Sequence, residues 1–462
     1  MLTFLIILHL ALALAVSSHA LLTKRDPRGA ALWVYILFTL PLAGVLIYWM
    51  LGINRVARAA SRRRRGIALV RPGIAPCQVP PGLKPLKAAA DSLAHFPLSG
   101  GNRVTLLVDG DQAYPAMLSA IARARKSLCL SSFIFDQDPA GQAFTLALCQ
   151  AAQRGAKVRV LVDGIGAWGP GRRLLEAVHA SGGRVASFWP RGRFLRQSGL
   201  NLRNHRKILV ADGCLGFTGG MNISQRHLGA GRPARARDLH FKVEGPAAAQ
   251  MVAVFARDWH AATGEALEGA DWHANPRPAG REALRGIASA PDEDMEKVYE
   301  LLLAALRNAR RKVLLMSPYF LPDRPMLIAL RTARRSGVAV QVLLPRHSDH
   351  PFMRWASRGY LWELVEAGVE VREVLGSFIH SKLAVVDGAW CLVGSSNLDP
   401  RSWRLNYEFN LEAYSPALAR QLEAYAAPLL EHSFTVTLAD LKREPLPVRL
   451  RNQAAKLFSP YL

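Results

Sequence analysis

The sequence predicts an α/β fold made twice over: two duplicated lobes of mostly parallel sheet flanked by helices, preceded by an N-terminal membrane hairpin. Three observations carry this expectation. Strand patterns alternate with helical patterns of 10–15 residues, the signature of βαβ units. The order of elements is the same in both halves of the 462-residue chain. One polar rhythm, "HRKILVAD" at 205–212 and "HSKLAVVD" at 380–387, recurs at the equivalent place in each half.

The first fifty residues stand outside that duplication. Residues 2–16 are almost wholly apolar, and the run extends weakly to Leu22. After the polar break "TKRDPRGA", residues 31–51 run 21 positions without a charge, with Trp33, Tyr35, Tyr48 and Trp49 near the ends. About 20 apolar residues span a bilayer core, so the second run is the stronger candidate span. The first is interrupted by His9, Ser17, Ser18 and His19. It has neither a basic n-region nor a convincing small-residue cleavage site, which favours a hairpin over a cleaved signal.

Arg55, Arg58, Arg62, Arg63, Arg64, Arg65 and Arg71 follow the second run. That heavier basic flank places the bulk of the chain on the cytoplasmic side, and either solvates a linker or grips anionic headgroups. The expected organisation is 1–52 membrane helices, 53–100 a basic Pro/Gly-rich linker, 101–280 a first lobe and 281–462 a second lobe with a C-terminal tail.

Composition bounds the partners. The formal net charge of +24 suits an anionic partner, whether nucleic acid or acidic lipid, although an arginine-rich genome gives the same balance. The five cysteines are odd in number and form no CxxC pair, so neither a disulfide framework nor a zinc site is read, and a reducing compartment is the default.

In each half a strand pattern ("ARKSLCLSSFIF", "ARRKVLLMSPYFL") precedes an amphipathic helix, a glycine stop and a β-branched strand. A further helix and strand lead into the polar motif. Strand alternation puts His205 and Lys207 on one face, and likewise His380 and Lys382. Asp212 and Asp387 open tight turns, which leaves a catalytic and a purely structural role both open. The next strand ends in "GGMN" or "GSSN", so glycines let backbone approach a ligand, and Asn222 and Asn397 take the same place after them.

HxKxxxxD followed by GGMN or GSSN resembles the signature of the phospholipase D superfamily, and two copies resemble its pseudo-twofold enzymes. Within it the chain is most similar to the bacterial cardiolipin synthases. The likeness rests on "LLVDGDQAYPAML", "RNHRKILVADG", "RDLHFKVEGPA", "SSNLDPRSWRLNYEFNLEAY", the two N-terminal runs and the tail "KLFSPYL". The resemblance implies two α/β lobes about a pseudo-twofold axis, with one active site at the seam.

Phosphodiester exchange needs a nucleophile and an acid in line on opposite sides of phosphorus, which one histidine cannot supply alone. The resemblance makes His205 the nucleophile and His380 the acid. Lys207 and Lys382 would stabilise the non-bridging oxygens, Asn222 and Asn397 would add neutral donors, and Asp238 and Glu408 would orient histidines of the opposite half. No metal or other cofactor is then required.

Of the other histidines, His9, His19, His179, His227, His260 and His273 read as surface or core. His240 lies beside Asp238, and His347 and His350 follow a strand end where α/β folds carry binding loops.

The expected activity is phosphatidyl transfer between two phosphatidylglycerol molecules at a bacterial inner membrane. A phospholipase D that hydrolyses the same intermediate would use the same residues. A membrane-tethered nuclease suits the charge. It has no need of two membrane segments, and no base-stacking platform is legible, so no nucleic-acid partner is expected.

Overall fold

The computed structural model describes residues 2–24, 27–40, 42–52, 73, 75–164, 171–188, 202–229 and 235–459. The first half supplies strands β1 (Ser99–Val108), β2 (Ser127–Ser132), β3 (Lys157–Asp163), β4 (Arg184–Phe188), β5 (Arg203–Asn204), β6 (Ile208–Ala211), β7 (Leu215–Gly219), β8 (Ala236–Arg237) and β9 (Leu239–Glu244). The second supplies β10 (Glu282–Ser289), β11 (Lys312–Met316), β12 (Ala339–Pro345), β13 (Glu370–Val374), β14 (Phe378–Ile379), β15 (Leu383–Val386), β16 (Trp390–Gly394), β17 (Asn406–Tyr414) and β18 (Ser433–Thr435). All but β8 and β14 join one sheet, in the order β18-β13-β12-β11-β15-β16-β17-β10-β1-β9-β7-β6-β2-β3-β4, with β5 beside β17. The lobes meet where β1 pairs with β10 in a short ladder whose register shifts between Ser99 and Asn102, so backbone hydrogen bonding carries the sheet across the seam.

The expectation of mostly parallel sheet is corrected to mixed sheet. Only β2-β3-β4 and β11-β12-β13, joined by crossover helices, are parallel runs within a lobe. The motif strands β6–β7 and β15–β16 are antiparallel. A short turn reverses a chain, whereas a parallel return needs a crossover of a dozen residues or more.

Each lobe keeps its own core under its outer helices, around Phe144 and Leu148 in the first and Leu302 and Leu330 in the second. The other face is covered by the long helices Pro246–Thr263 and Pro416–Glu431. Their Phe255, Trp259, Leu418 and Leu422 share one cluster with Leu239 and Phe409, drawn from both lobes.

Two further expectations change. The apolar run 31–51 is not one helix. It is a helix Pro27–Thr39, a short helix Ala43–Ile47 and a π-helical turn Tyr48–Gly52. Pro41 stands in the interval, and proline supplies no amide hydrogen while disfavouring helix at the residue before it. The helix Leu2–Thr23 is instead the one element among the described residues long and apolar enough to cross a membrane, over Thr3–Thr23. Ala13 and Ala20 of that helix cluster with Trp33, Leu37 and Tyr48, and His19 Nδ1 lies 2.8 Å from the Tyr48 hydroxyl.

The stretch 66–100 is also not all linker. Lys84–Leu93 is a helix that buries Leu86 and Ala90 in the second lobe's core. The basic flank Arg55, Arg58, Arg62, Arg63, Arg64, Arg65 and Arg71 lies outside the described residues.

Candidate active site

The seam is knitted by two short cross-lobe ladders. β5 pairs in parallel with the start of β17, Asn406 opposite Arg203 and Tyr407 opposite Asn204. β8 pairs in parallel with β14, Phe378 opposite Ala236 and Ile379 opposite Arg237. Each ladder extends by one backbone bond into a motif histidine: His205 N donates to Tyr407 O at 2.9 Å, and His380 N to Arg237 O at 2.7 Å. The next residue on each partner chain is Glu408 or Asp238. Backbone register therefore sets each histidine beside a carboxylate of the opposite lobe.

The side chains complete that arrangement. His205 Nδ1 lies 3.0 Å from both carboxylate oxygens of Glu408. His380 Nδ1 lies 2.6 Å from Asp238 Oδ2. With the proton on Nδ1, each Nε2 keeps its lone pair. Glu408 also accepts from Ser395 Oγ at 2.5 Å and Asn406 Nδ2 at 3.0 Å. In the first lobe the place of Ser395 is taken by Gly220, where a Cβ would stand 2.4 Å from Asp238 Oδ1.

Burial governs the electrostatics. It pushes Glu408 up to about 7, and raises Asp238 against the pull of Lys382. Burial, reinforced by Lys207 and Lys382, holds both His205 and His380 well below the usual histidine range. Burial also pushes Lys207 down to about 7 and Lys382 to about 8. Both ammonium groups donate to backbone, Lys207 to His205 O at 2.8 Å and Lys382 to His380 O. A phosphodiester anion among these groups offsets the lysine charge and raises the affinity of both imidazoles for a proton.

His205, His380, Asn222 and Asn397 all border one cavity of about 770 Å³. Asn222 Oδ1 accepts from Ile134 N at 3.1 Å, whereas Asn397 Oδ1 is buried with no hydrogen-bond partner. Arg203, Arg226 and Arg401 add cationic lining, and Phe133, Tyr319, Phe352, Met353 and Phe378 add an apolar wall. Asp136, Asp349 and Asp399 also line the cavity, so its charge is mixed, and the histidines and arginines set in an apolar wall fit a phosphate carrying hydrocarbon.

Asp212 and Asp387 stand apart from this cluster. Each sits at positive φ, 49° and 54°, at the far end of a motif strand. Asp212 accepts from the backbone amides of Arg125, Lys126 and Ser127, and Asp387 from those of Arg310, Arg311 and Lys312. A four-residue strand, about 13 Å long, separates each from its lysine. The structure thus gives both a turn and strand-docking position in place of one at the cavity.

His350 borders the cavity and His347 is exposed outside its lining. His240 is buried in β9 with neither ring nitrogen partnered, and burial pushes it down to about 3. His227, read from sequence as surface or core, borders the cavity with its ring 6.0 Å from that of His380.

Sequence reasoning also passed over Arg226 and Arg401, although each follows its asparagine by four residues. Arg206 was missed as well. Its side chain alternates away from the site to the buried carboxylate of Asp258, donating to Glu408 O at 2.9 Å and Ser289 O at 3.0 Å. A cation between the histidine and lysine of an otherwise apolar strand was the available signal.

Elsewhere His95, Glu293 and Asp294 form the one metal-like grouping among the described residues. Lys297, at 2.8 Å, and Arg257 already neutralise Asp294, a donor set that fits ion pairing better than a metal cation.

Residues 117–259 and 302–429 match the family described as cardiolipin synthase, PLD-like domain. The chain is 31% identical over 458 residues to the cardiolipin synthase of Geobacillus kaustophilus, covering 96% of this chain and 90% of that protein. It is 32% identical over 471 residues to cardiolipin synthase A of Pseudomonas putida, covering 99% and 97%. The crystal structure of phosphatidylserine synthase from Haemophilus influenzae superposes with a TM-score of 0.64 at 16% identity, covering 82% of this chain and 99% of that one, a likeness of fold.

Proposed function

The chain belongs to the phospholipase D-like cardiolipin synthase family, and on that footing we propose that it moves a phosphatidyl group from one phosphatidylglycerol to another through a phosphohistidine. It is a phosphatidyltransferase of the cardiolipin synthase type. The observation that supports the route is the pair of histidines at one cavity, each braced at Nδ1 by a carboxylate of the other lobe.

His205 Nε2 attacks phosphorus, and the bond from phosphorus to the glycerol oxygen breaks. His380, which takes a second proton on Nε2 when the phosphodiester anion is bound, gives that proton to the oxygen, releasing glycerol. His380 then takes the proton of the second phosphatidylglycerol's hydroxyl, whose oxygen attacks phosphorus. The phosphorus–nitrogen bond breaks, cardiolipin leaves, and both imidazoles regain their starting protonation. Lys207 and Lys382 stabilise the charge on the non-bridging oxygens, with Asn222 and Asn397 as neutral donors. One phosphodiester replaces another, so no nucleotide is consumed.

The membrane reading extends from the helix Leu2–Thr23 to a hairpin completed by the broken helical run 27–52, with the lobes on the cytoplasmic face of a bacterial inner membrane. Incubating the purified protein with phosphatidylglycerol alone tests the activity. Cardiolipin and glycerol are the expected products, and phosphatidic acid in their place would assign the protein to hydrolysis.

A further inference from the structure

The helix Leu446–Lys456 packs on the helix Pro351–Glu366 through buried Asn452 and Ala455 and turns its other face outward. On that face Leu446, Leu450 and Leu457 are 63, 61 and 77% exposed. Leu457 continues the helical turn in αR conformation, and at 100° per residue the three leucines fall within about 40° of one another. Phe458 prolongs the stripe, and its ring centroid lies 5.8 Å from that of Phe352. Phe352 borders the cavity that holds His205 and His380. An apolar strip thus leads from the outer helix to the mouth of the site. Of nine large apolar side chains exposed beyond the N-terminal helices among the described residues, five belong to this strip, a concentration unlike scattered surface leucines.

The charges that the helix itself carries have one sign, although Glu363 of the neighbouring helix lies 3.8 Å from Lys456. Residues 445–459 carry Arg449, Arg451 and Lys456 and no carboxylate. Arg451 lies over the Trp355 ring at 4.5 Å and Lys456 over the Tyr360 ring at 4.2 Å, so aromatic faces hold two of these cations beside the strip.

We propose that this strip docks in the plane of an anionic lipid bilayer, with Leu446, Leu450, Leu457, Phe458 and Phe352 in the acyl boundary and Arg449, Arg451 and Lys456 at headgroup level. The proposal rests on the lipid-transfer reading above and adds where the catalytic body meets its substrate. An amphipathic helix with a cationic border fits an anionic membrane. A second copy fits poorly, because its own strip brings the same positive border. Docked this way, the cavity mouth sits at the bilayer surface, and a lipid reaches the histidines past Phe352 while its acyl chains remain in the membrane.

The test uses the full-length chain with Cys214→Ser, reconstituted in phosphatidylglycerol vesicles and in phosphatidylcholine vesicles. Nitroxides are attached at Leu450→Cys, Leu457→Cys or, as an exposed reference, Leu146→Cys. Collision rates with oxygen and with a polar nickel chelate report depth. At 450 and 457 the oxygen preference is expected to exceed that at 146 severalfold in phosphatidylglycerol and to shrink in phosphatidylcholine. The double variant Leu450→Asp/Leu457→Asp is expected to raise the apparent KM for vesicle lipid about tenfold or more, with turnover of a water-soluble phosphodiester unaltered. Polar-collider access at 450 and 457 equal to that at 146 overturns docking, as does spin–spin broadening between copies, which assigns the strip to a second protein molecule. Immersion in a protein that forms no cardiolipin from phosphatidylglycerol leaves the docking standing and overturns the lipid-transfer reading. Cardiolipin formation without immersion does the reverse.

Discussion

His205 and His380 share a motif but not a setting. Glu408, behind His205, is held by the side chains of Ser395 and Asn406, while Asp238, behind His380, accepts from the backbone amide of Leu239 at 2.7 Å and fills the space a side chain at 220 would need. Such unequal support suits unequal roles, and mass spectrometry separates them. With a nitrophenyl phosphodiester analogue, whose leaving group needs little protonation, acid-quenched His380→Ala protein is expected to carry an adduct on His205. An adduct on His380 in His205→Ala protein would exchange the roles. The histidines and lysines were legible because alternate strand positions share a face. Their carboxylate partners lie 203 and 142 residues away, so only the family resemblance pointed to them. For Asp212 and Asp387 the sequence left two roles open, because their spacing repeats as faithfully as that of the histidines; the repeated feature is a turn that holds the start of β2 or of β11. Asp212→Ala or Asp387→Ala is expected to cost about 1–3 kcal/mol of stability, seen as a lower Tm. The fraction that remains folded should still form the histidine adduct, which a catalytic aspartate would not permit.

At the scale of elements, composition revealed the helices and strands but misjudged two segments for one reason, proline. Pro80 and Pro81 lend residues 66–100 the look of a linker, yet proline also suits the opening of a helix, and Lys84–Leu93 follows. Pro41 sits inside a run whose hydropathy alone reads as a single span. The mixed sheet was legible in principle, since a tight turn at "DG" already demands antiparallel neighbours. What the sequence did not display is why β7 runs into glycine where β16 runs into Ser395. Asp238 leaves no room for a side chain at Gly220. Gly220→Ala is therefore expected to push Asp238 off His380 and lower kcat about 10- to 100-fold, while KM stays near the wild-type value. Retained kcat would show that the Asp238–His380 contact does not orient the acid.

Across the whole molecule, the duplication brings a histidine from each lobe to one cavity, with two carboxylates at their Nδ1 atoms and two lysines at their carbonyls buried behind them, and such groups titrate together. Lys207 and Lys382 are the pair to which the proposed mechanism assigns charge stabilisation in the transition state, and burial brings them to about 7 and about 8. A cation is present below its pKa and lost above it. The ratio kcat/KM is therefore expected to fall as pH rises through about 7 to 8, a limb that lysines of ordinary pKa would place well above 9. The same burial has a stability consequence of opposite sense. Between about 7 and 10.5 the unfolded chain holds a proton on Lys207 that the folded chain has released, so stability from this group rises with pH across that window. Lys207→Met removes both effects. It should abolish turnover, raise Tm at pH 6, where the wild type buries a charged ammonium, and lose that advantage progressively toward pH 9. A Tm difference that stays constant from pH 6 to pH 9 would mean that Lys207 is as basic folded as unfolded, and would leave the alkaline limb to another group.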